Sequence, residues 1–168
     1  MKIFCYGAGT TLEDIGWQVY LGLVALLAGS AFFSASETAF ATVNTIRLKN
    51  YVDAGDKKAA MALKIAEMYE KTLSSILIGN NLVNIAISSI AAVLFTSWMG
   101  NAGTWVSTVV VTIVVLIFGE ILPKTFAKEH SEKVVLGVCG VLLAFIKVLT
   151  PVSFLFLKMQ HGFINLFK

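Results

Sequence analysis

Charged residues leave this chain for 48 consecutive positions, Thr72 to Gly119, and return at a single carboxylate, Glu120. An earlier uncharged stretch, Ile15 to Ser36, covers 22 residues. At about 1.5 Å of rise per residue, it is long enough for a helix to cross a hydrocarbon core about 30 Å thick. The 48-residue run is too long for one helix, and Met99-Gly100-Asn101-Ala102-Gly103 interrupts it near its middle. The pattern therefore predicts two antiparallel spans joined by a tight turn. The three spans are expected over about 15–40, 72–98 and 104–127.

Between the first two spans the pattern becomes amphipathic. Arg47, Lys49, Lys57, Lys58, Lys64 and Lys71 alternate with apolar positions around a turn at Asp53-Ala54-Gly55-Asp56. Two short helices at a membrane face are expected there, within about 44–70. Further on, Val134–Ile146 (13 residues) and Val148–Leu157 (10 residues) are separated by Lys147, with Pro151 soon after. Each is shorter than the roughly 18 residues a span requires. The segment 130–166 is therefore expected to form a broken hairpin or belt of juxtamembrane helices, with Lys147 and Lys158 snorkelling to the interface; a kinked fourth span is the alternative. The fold class is an all-α polytopic membrane protein, one domain over 1–168, with three transmembrane helices plus cytoplasmic juxtamembrane helices.

Composition agrees: 57% of residues are hydrophobic, 14% are charged, and the mean hydropathy is +0.82. A net charge of +3 would suggest a polyanion in a soluble protein. Here the placement of the basic residues matters more than their sum, and nucleic acid is not an expected partner. Cys5 and Cys139 stand far apart without CxxC spacing, so neither a disulfide framework nor a zinc site is indicated. The first fourteen residues hold Lys2, Glu13 and Asp14 and no signal-peptide pattern, so the first span is expected to act as its own insertion signal. His130 and His161 are lone residues near polar ends and receive no role.

Six Lys and Arg follow the first span, none lies in the turn between the second and third, and Lys124, Lys128 and Lys133 follow the third. Positive-inside bias then puts the amino terminus outside and the carboxyl terminus in the cytoplasm. The three tryptophans, Trp17, Trp98 and Trp105, fall at the predicted outer ends and mark depth. Counting inward, Trp17 to Ser34 is about 25 Å, Trp98 to Asn80 about 27 Å and Trp105 to Glu120 about 22 Å. Three polar clusters thus reach one level: Ser34-Ala35-Ser36-Glu37, Gly79-Asn80-Asn81-Leu82-Val83-Asn84, and Gly119-Glu120.

Asn80 and Asn84 share one helical face. Pro123 has no N–H for the carbonyl four residues back, which would leave Gly119 C=O free beside Glu120. Hydroxyl, amide oxygen, peptide carbonyl and one carboxylate are hard donors suited to Mg²⁺, Ca²⁺ or Na⁺. The competing explanation is structural. Ser, Asn and Gly are common packing and hydrogen-bonding glue between membrane helices, Glu120 could pair with Lys124, and Glu37 could be a solvated interfacial acid.

At these residues the chain resembles the membrane domain of the CorC/cyclin-M (CNNM) family of magnesium transporters. The resemblance rests on Phe33-Ser34-Ala35-Ser36-Glu37-Thr38-Ala39, Ile78-Gly79-Asn80-Asn81-Leu82-Val83-Asn84 and Phe118-Gly119-Glu120-Ile121-Leu122-Pro123-Lys124. It implies a homodimer of three-span protomers in the plasma membrane of a prokaryote, exporting Mg²⁺ with Na⁺ entry as the proposed driving force. The implied Mg²⁺ ligands are the Ser34 hydroxyl, an Asn80 amide oxygen, the Gly119 carbonyl and the Glu120 carboxylate, with Asn84 and Ser36 as further candidates. Family members usually continue into paired cystathionine-β-synthase-type domains that bind ATP. The chain stops at Lys168, so it is expected to be the membrane part of a longer protein. The rival function is a membrane anchor and Mg²⁺ sensor that regulates another transporter. An enzyme is not expected, because one Glu with no buried His, Cys or second acid is a poor catalytic set.

Overall fold

The computed structural model describes the backbone of residues 16–166 and the side-chain surroundings of residues 16–149. The features expected of residues 1–15, including Cys5, and the side chains of Lys158 and His161 lie outside the described residues. Among those described, helices follow one another with short turns between them and no strand occurs, which is the all-α architecture expected.

Helix α1, Trp17–Thr42, begins at the first tryptophan and stops where Val43 turns extended. Asn44 then caps α2, Thr45–Asp53, its side chain accepting from the Ile46 and Arg47 amides. Asp56 does the same for α3, Lys57–Glu67, by accepting from the Lys58 and Ala59 amides. Such caps satisfy amide donors that the first helical turn leaves open. Between α2 and α3 the chain reverses at Gly55, whose φ of +90° lies in the left-handed region. Both helices bury one face only, Leu48 on α2 and Ala59, Ala62 and Ile65 on α3, so they are the amphipathic pair expected.

Helix α4, Tyr69–Met99, ends at Gly100 with φ +62°, and α5, Asn101–Val114, starts at the next residue. This is the expected hairpin. Gly103 lets α5 press on α4, because a Cβ there would collide with the Phe95 carbonyl. The third span continues as a π-helical segment, Val115–Ile121, and then as α6, Leu122–Glu129. Trp17–Thr42, Tyr69–Met99 and Asn101–Glu129 are the three described helices long and apolar enough to cross a membrane. Only 17–22% of each apolar stretch is buried within the chain, so most of that hydrophobic surface is left for lipid or for another protein.

The segment after the third span differs from the broken hairpin. It is one helix, α7, of 36 residues, Ser131–Leu166, running through Pro151. Through Ile146 a buried stripe supports it: Val135, Cys139, Leu142 and Ile146 recur at helical spacing and join the core, and Lys147 falls on the exposed side, where a charge does not interrupt a helix. An uninterrupted stripe packed on α1, α3 and α4 favours an uninterrupted helix. Arg47 and Glu132, 2.9 Å apart, tie α2 to the start of α7.

Candidate cation site between three membrane helices

Two glycines let the spans come close. Phe33 of α1 lies over Gly79 of α4, where a Cβ would stand 2.6 Å from the Phe33 ring. On its other side Phe33 meets the Phe145 ring of α7 edge-on, with centroids 4.9 Å apart. Gly119 in the π segment sits under Ser30 of α1, where a Cβ would stand 2.8 Å from Ser30 Oγ. Neither close approach would survive a side chain without displacement.

This packing joins α1, α4 and the third span through one polar chain. The Ser30 hydroxyl donates to Asn84 Oδ1 at 2.8 Å, and Asn80 Oδ1 lies 3.3 Å from the same oxygen. Asn84 Nδ2 in turn donates to Glu120 Oε1 at 3.4 Å. Ser30 is fully buried; Asn80, Asn84 and Glu120 are half-buried. One turn beyond Ser30 on the same face of α1, the Ser34 Oγ is buried with no hydrogen-bond partner. Leaving a buried hydroxyl unsatisfied costs about 1–3 kcal/mol, which sets Ser34 apart from the paired serines Ser30 and Ser36. Ser36 is also buried, but its hydroxyl donates back to Phe32 O at 2.7 Å within its own helix.

The π segment bears on Pro123. The Leu122 N–H reaches Ile117 O, five residues back. In that register the donor missing at Pro123 is subtracted from Phe118, whereas an α register would subtract it from Gly119. In the register found, the withheld bond thus falls on Phe118, one residue before the Gly119 carbonyl expected from an α register. A single π turn is a common device at functional sites because it re-aims the side chains around it.

Lys124 does not pair with Glu120. Its ammonium lies 3.1 Å from Glu37 Oε2, joining α6 to α1 about one helical turn beyond Glu120 and Ser34. The basic group nearest to Glu120 in sequence is thereby engaged elsewhere. Among the described residues no three of His, Cys, Asp and Glu gather as a metal-binding group. A cation held here would rest on hydroxyl, amide and peptide oxygens around one carboxylate, which is the donor chemistry of a hard ion.

Of the residues singled out in the sequence, Asn80, Asn84, Gly119 and Glu120 come together around Ser30, with Ser34 one turn away on the same face of α1. Ser30 was missed. Its signal was available, since it precedes Ser34 by four residues and so shares its face, and it follows Gly29 in the middle of an apolar span.

Residues 21–168 match the family described as CNNM, the cyclin M transmembrane N-terminal domain. A UPF0053 protein of Haemophilus influenzae is 40% identical over 82% of the chain and 33% of its own length. The UPF0053 inner membrane protein YfjD of Escherichia coli is 42% identical over 62% of the chain and 24% of its own length. A protein of Haemophilus influenzae named as a polyamine export protein is 26% identical over 90% of the chain and 38% of its own length. The chain thus spans about a quarter to two fifths of the length of these relatives. With three apolar helices meeting at a polar cluster and a family match over nearly all its residues, the chain belongs to the CNNM family of membrane proteins.

Proposed function

We propose that this chain carries Mg²⁺ out of the cell across the plasma membrane by alternating access around a dehydrated site. One observation supports the reading: a hydrogen-bonded chain from Ser30 on α1 through Asn80 and Asn84 on α4 ends at the carboxylate Glu120 on the third span, with the buried Ser34 Oγ one turn along α1. In this reading the ligands are the Ser34 hydroxyl, the Asn80 amide oxygen, the Gly119 carbonyl and the Glu120 carboxylate. Mg²⁺ gives up water reluctantly and demands close oxygen contacts of about 2.1 Å, so the helices must tighten as it enters. One carboxylate leaves a net positive charge on the loaded site, which favours release on the far side. Na⁺ entry is the proposed source of energy. The basic face formed by α2, α3 and α6 is the cytoplasmic one.

The working unit is proposed to be a homodimer. Asn81 is exposed on α4 between the outward-facing Leu77, Leu82 and Ile85. An amide on a lipid-facing surface gains from a hydrogen-bonding partner on another helix. Any binding of ATP would belong to parts of a longer protein outside this chain.

The relative named as a polyamine export protein supports a second substrate, an organic polycation. A linear polyamine spreads its charges along a chain and is best met by several spaced acids. At this depth Glu120 stands alone, with Glu37 already paired to Lys124, so a point cation fits better. The test is flux in liposomes loaded with Mg²⁺ or spermidine. Glu120→Gln is expected to insert normally and to lose at least nine tenths of Mg²⁺ flux. Wild-type Mg²⁺ flux in that variant would sink the proposal, and spermidine flux without Mg²⁺ flux in the unaltered chain would replace it with the second reading. Mg²⁺ binding with no flux at all would favour a sensor.

A further inference from the structure

We propose that Asn84 is the stand-in for the cation at this site and not one of its ligands, a role that rests on the cation-site reading above. A carboxylate only accepts hydrogen bonds, so the Asn84 atom facing Glu120 Oε1 at 3.4 Å is the amide nitrogen. Turning the nitrogen to Glu120 turns the oxygen to Ser30 Oγ, 2.8 Å away, where the hydroxyl donates. The two contacts enforce one another. A flipped amide would set its oxygen against the carboxylate and leave the Ser30 proton without that acceptor.

Two consequences follow. In this proposal the arriving cation takes Glu120 Oε1, the oxygen that Asn84 Nδ2 faces, and displaces the amide as the site fills. Ser30 has one proton for two amide oxygens, and the shorter contact is to Asn84, 2.8 Å against 3.3 Å for Asn80. Asn80 Oδ1 is therefore the amide oxygen held more weakly, and the one free to turn to a cation. The two asparagines, one helical turn apart on α4, divide the work. Asn80 binds, while Asn84 with Ser30 behind it holds the anion of the emptied site. Between release of one cation and binding of the next, Glu120 is unmatched, and the amide dipole steadies the charge during that interval.

The test is Mg²⁺ flux in liposomes by Asn84→Leu, a substitution of similar volume without donor or acceptor. Without the competing donor the half-saturating Mg²⁺ concentration is expected to fall about threefold to tenfold, the range for one ordinary hydrogen bond, since this contact is long. Maximal flux is expected to fall with it, because a more tightly held ion leaves more slowly. A half-saturating concentration that rises tenfold would show that Asn84 is a ligand, and unchanged kinetics would show that it is a spectator; either overturns the proposal. A second measurement needs no variant. In wild-type chain carrying ¹⁵N,¹³C-asparagine, Mg²⁺ is expected to move the Asn84 Nδ2 resonance and the Asn80 Cγ resonance. An Asn84 Cγ shift equal to that of Asn80 overturns the proposal. Asn80→Ala and Glu120→Gln, measured alongside for Mg²⁺ binding, separate the two failures. If both bind Mg²⁺ as the wild type does, it is the cation site itself that has been misread.

Discussion

The site depends on one missing atom. At Gly119 the absence of a Cβ is what allows the third span to lie under Ser30, since that atom would stand 2.8 Å from Ser30 Oγ. The serine side chain is too short to withdraw and its hydroxyl is committed to Asn84. Gly119→Ala is therefore expected to push the π segment off α1. Overpacking of this kind costs about 1–3 kcal/mol. Mg²⁺ binding by calorimetry is expected to weaken at least tenfold in this variant, with a lowered unfolding temperature in detergent. Unchanged binding would show that the close approach of Gly119 to Ser30 is packing alone.

At the scale of elements, the third span is the unusual one, because an α-helix gives way to π geometry over Val115–Ile121 and resumes at Leu122 with Pro123 in its first turn. A proline tolerated at the start of a helical segment removes a donor that would otherwise help to lock an α register. Pro123→Ala restores that donor. We expect the π segment to tighten toward α geometry, turning Glu120 away from Asn84. Thermal stability is then retained or raised while Mg²⁺ affinity falls at least tenfold. Equal affinity in wild type and variant would mean that the proline does not maintain the π turn. The α4–α5 hairpin needs no such device, since Gly100 and Gly103 in its turn already admit the reversal and the close contact.

For the whole molecule, the spans are held in register by contacts spread along their length. Phe33 is seated on Gly79 deep in the packing, and the Glu37–Lys124 pair closes the carboxyl-terminal part of α1 against α6. Both charged side chains are about two-fifths exposed, 39% and 41%, so the pair adds at most about 1 kcal/mol to stability. Its expected effect is on alignment. Glu37→Lys and Lys124→Glu are each expected to place like charges together and lower Mg²⁺ flux severalfold, and the double swap to restore it. A double swap as impaired as either single variant would indicate that the individual groups matter and their pairing does not.

Much of this was legible without a structure. A membrane solvent allows few solutions for backbone polar groups, so long uncharged runs, a glycine break and basic loops are enough to define three spans, a hairpin and two surface helices. Tryptophan depth also set Ser34, Asn80 and Glu120 near one level, because helical rise is constant and needs no knowledge of neighbours. Helix rotation and pairing are different, since they follow from which side chains fit against which. The packing made Ser30 the partner of both asparagines, gave Lys124 to Glu37 and laid the stripe from Val135 to Ile146 of α7 against the core, while the third span took π geometry before Pro123. Depth along a helix is a property of the chain; the face a residue presents to its neighbours is a property of the packed molecule.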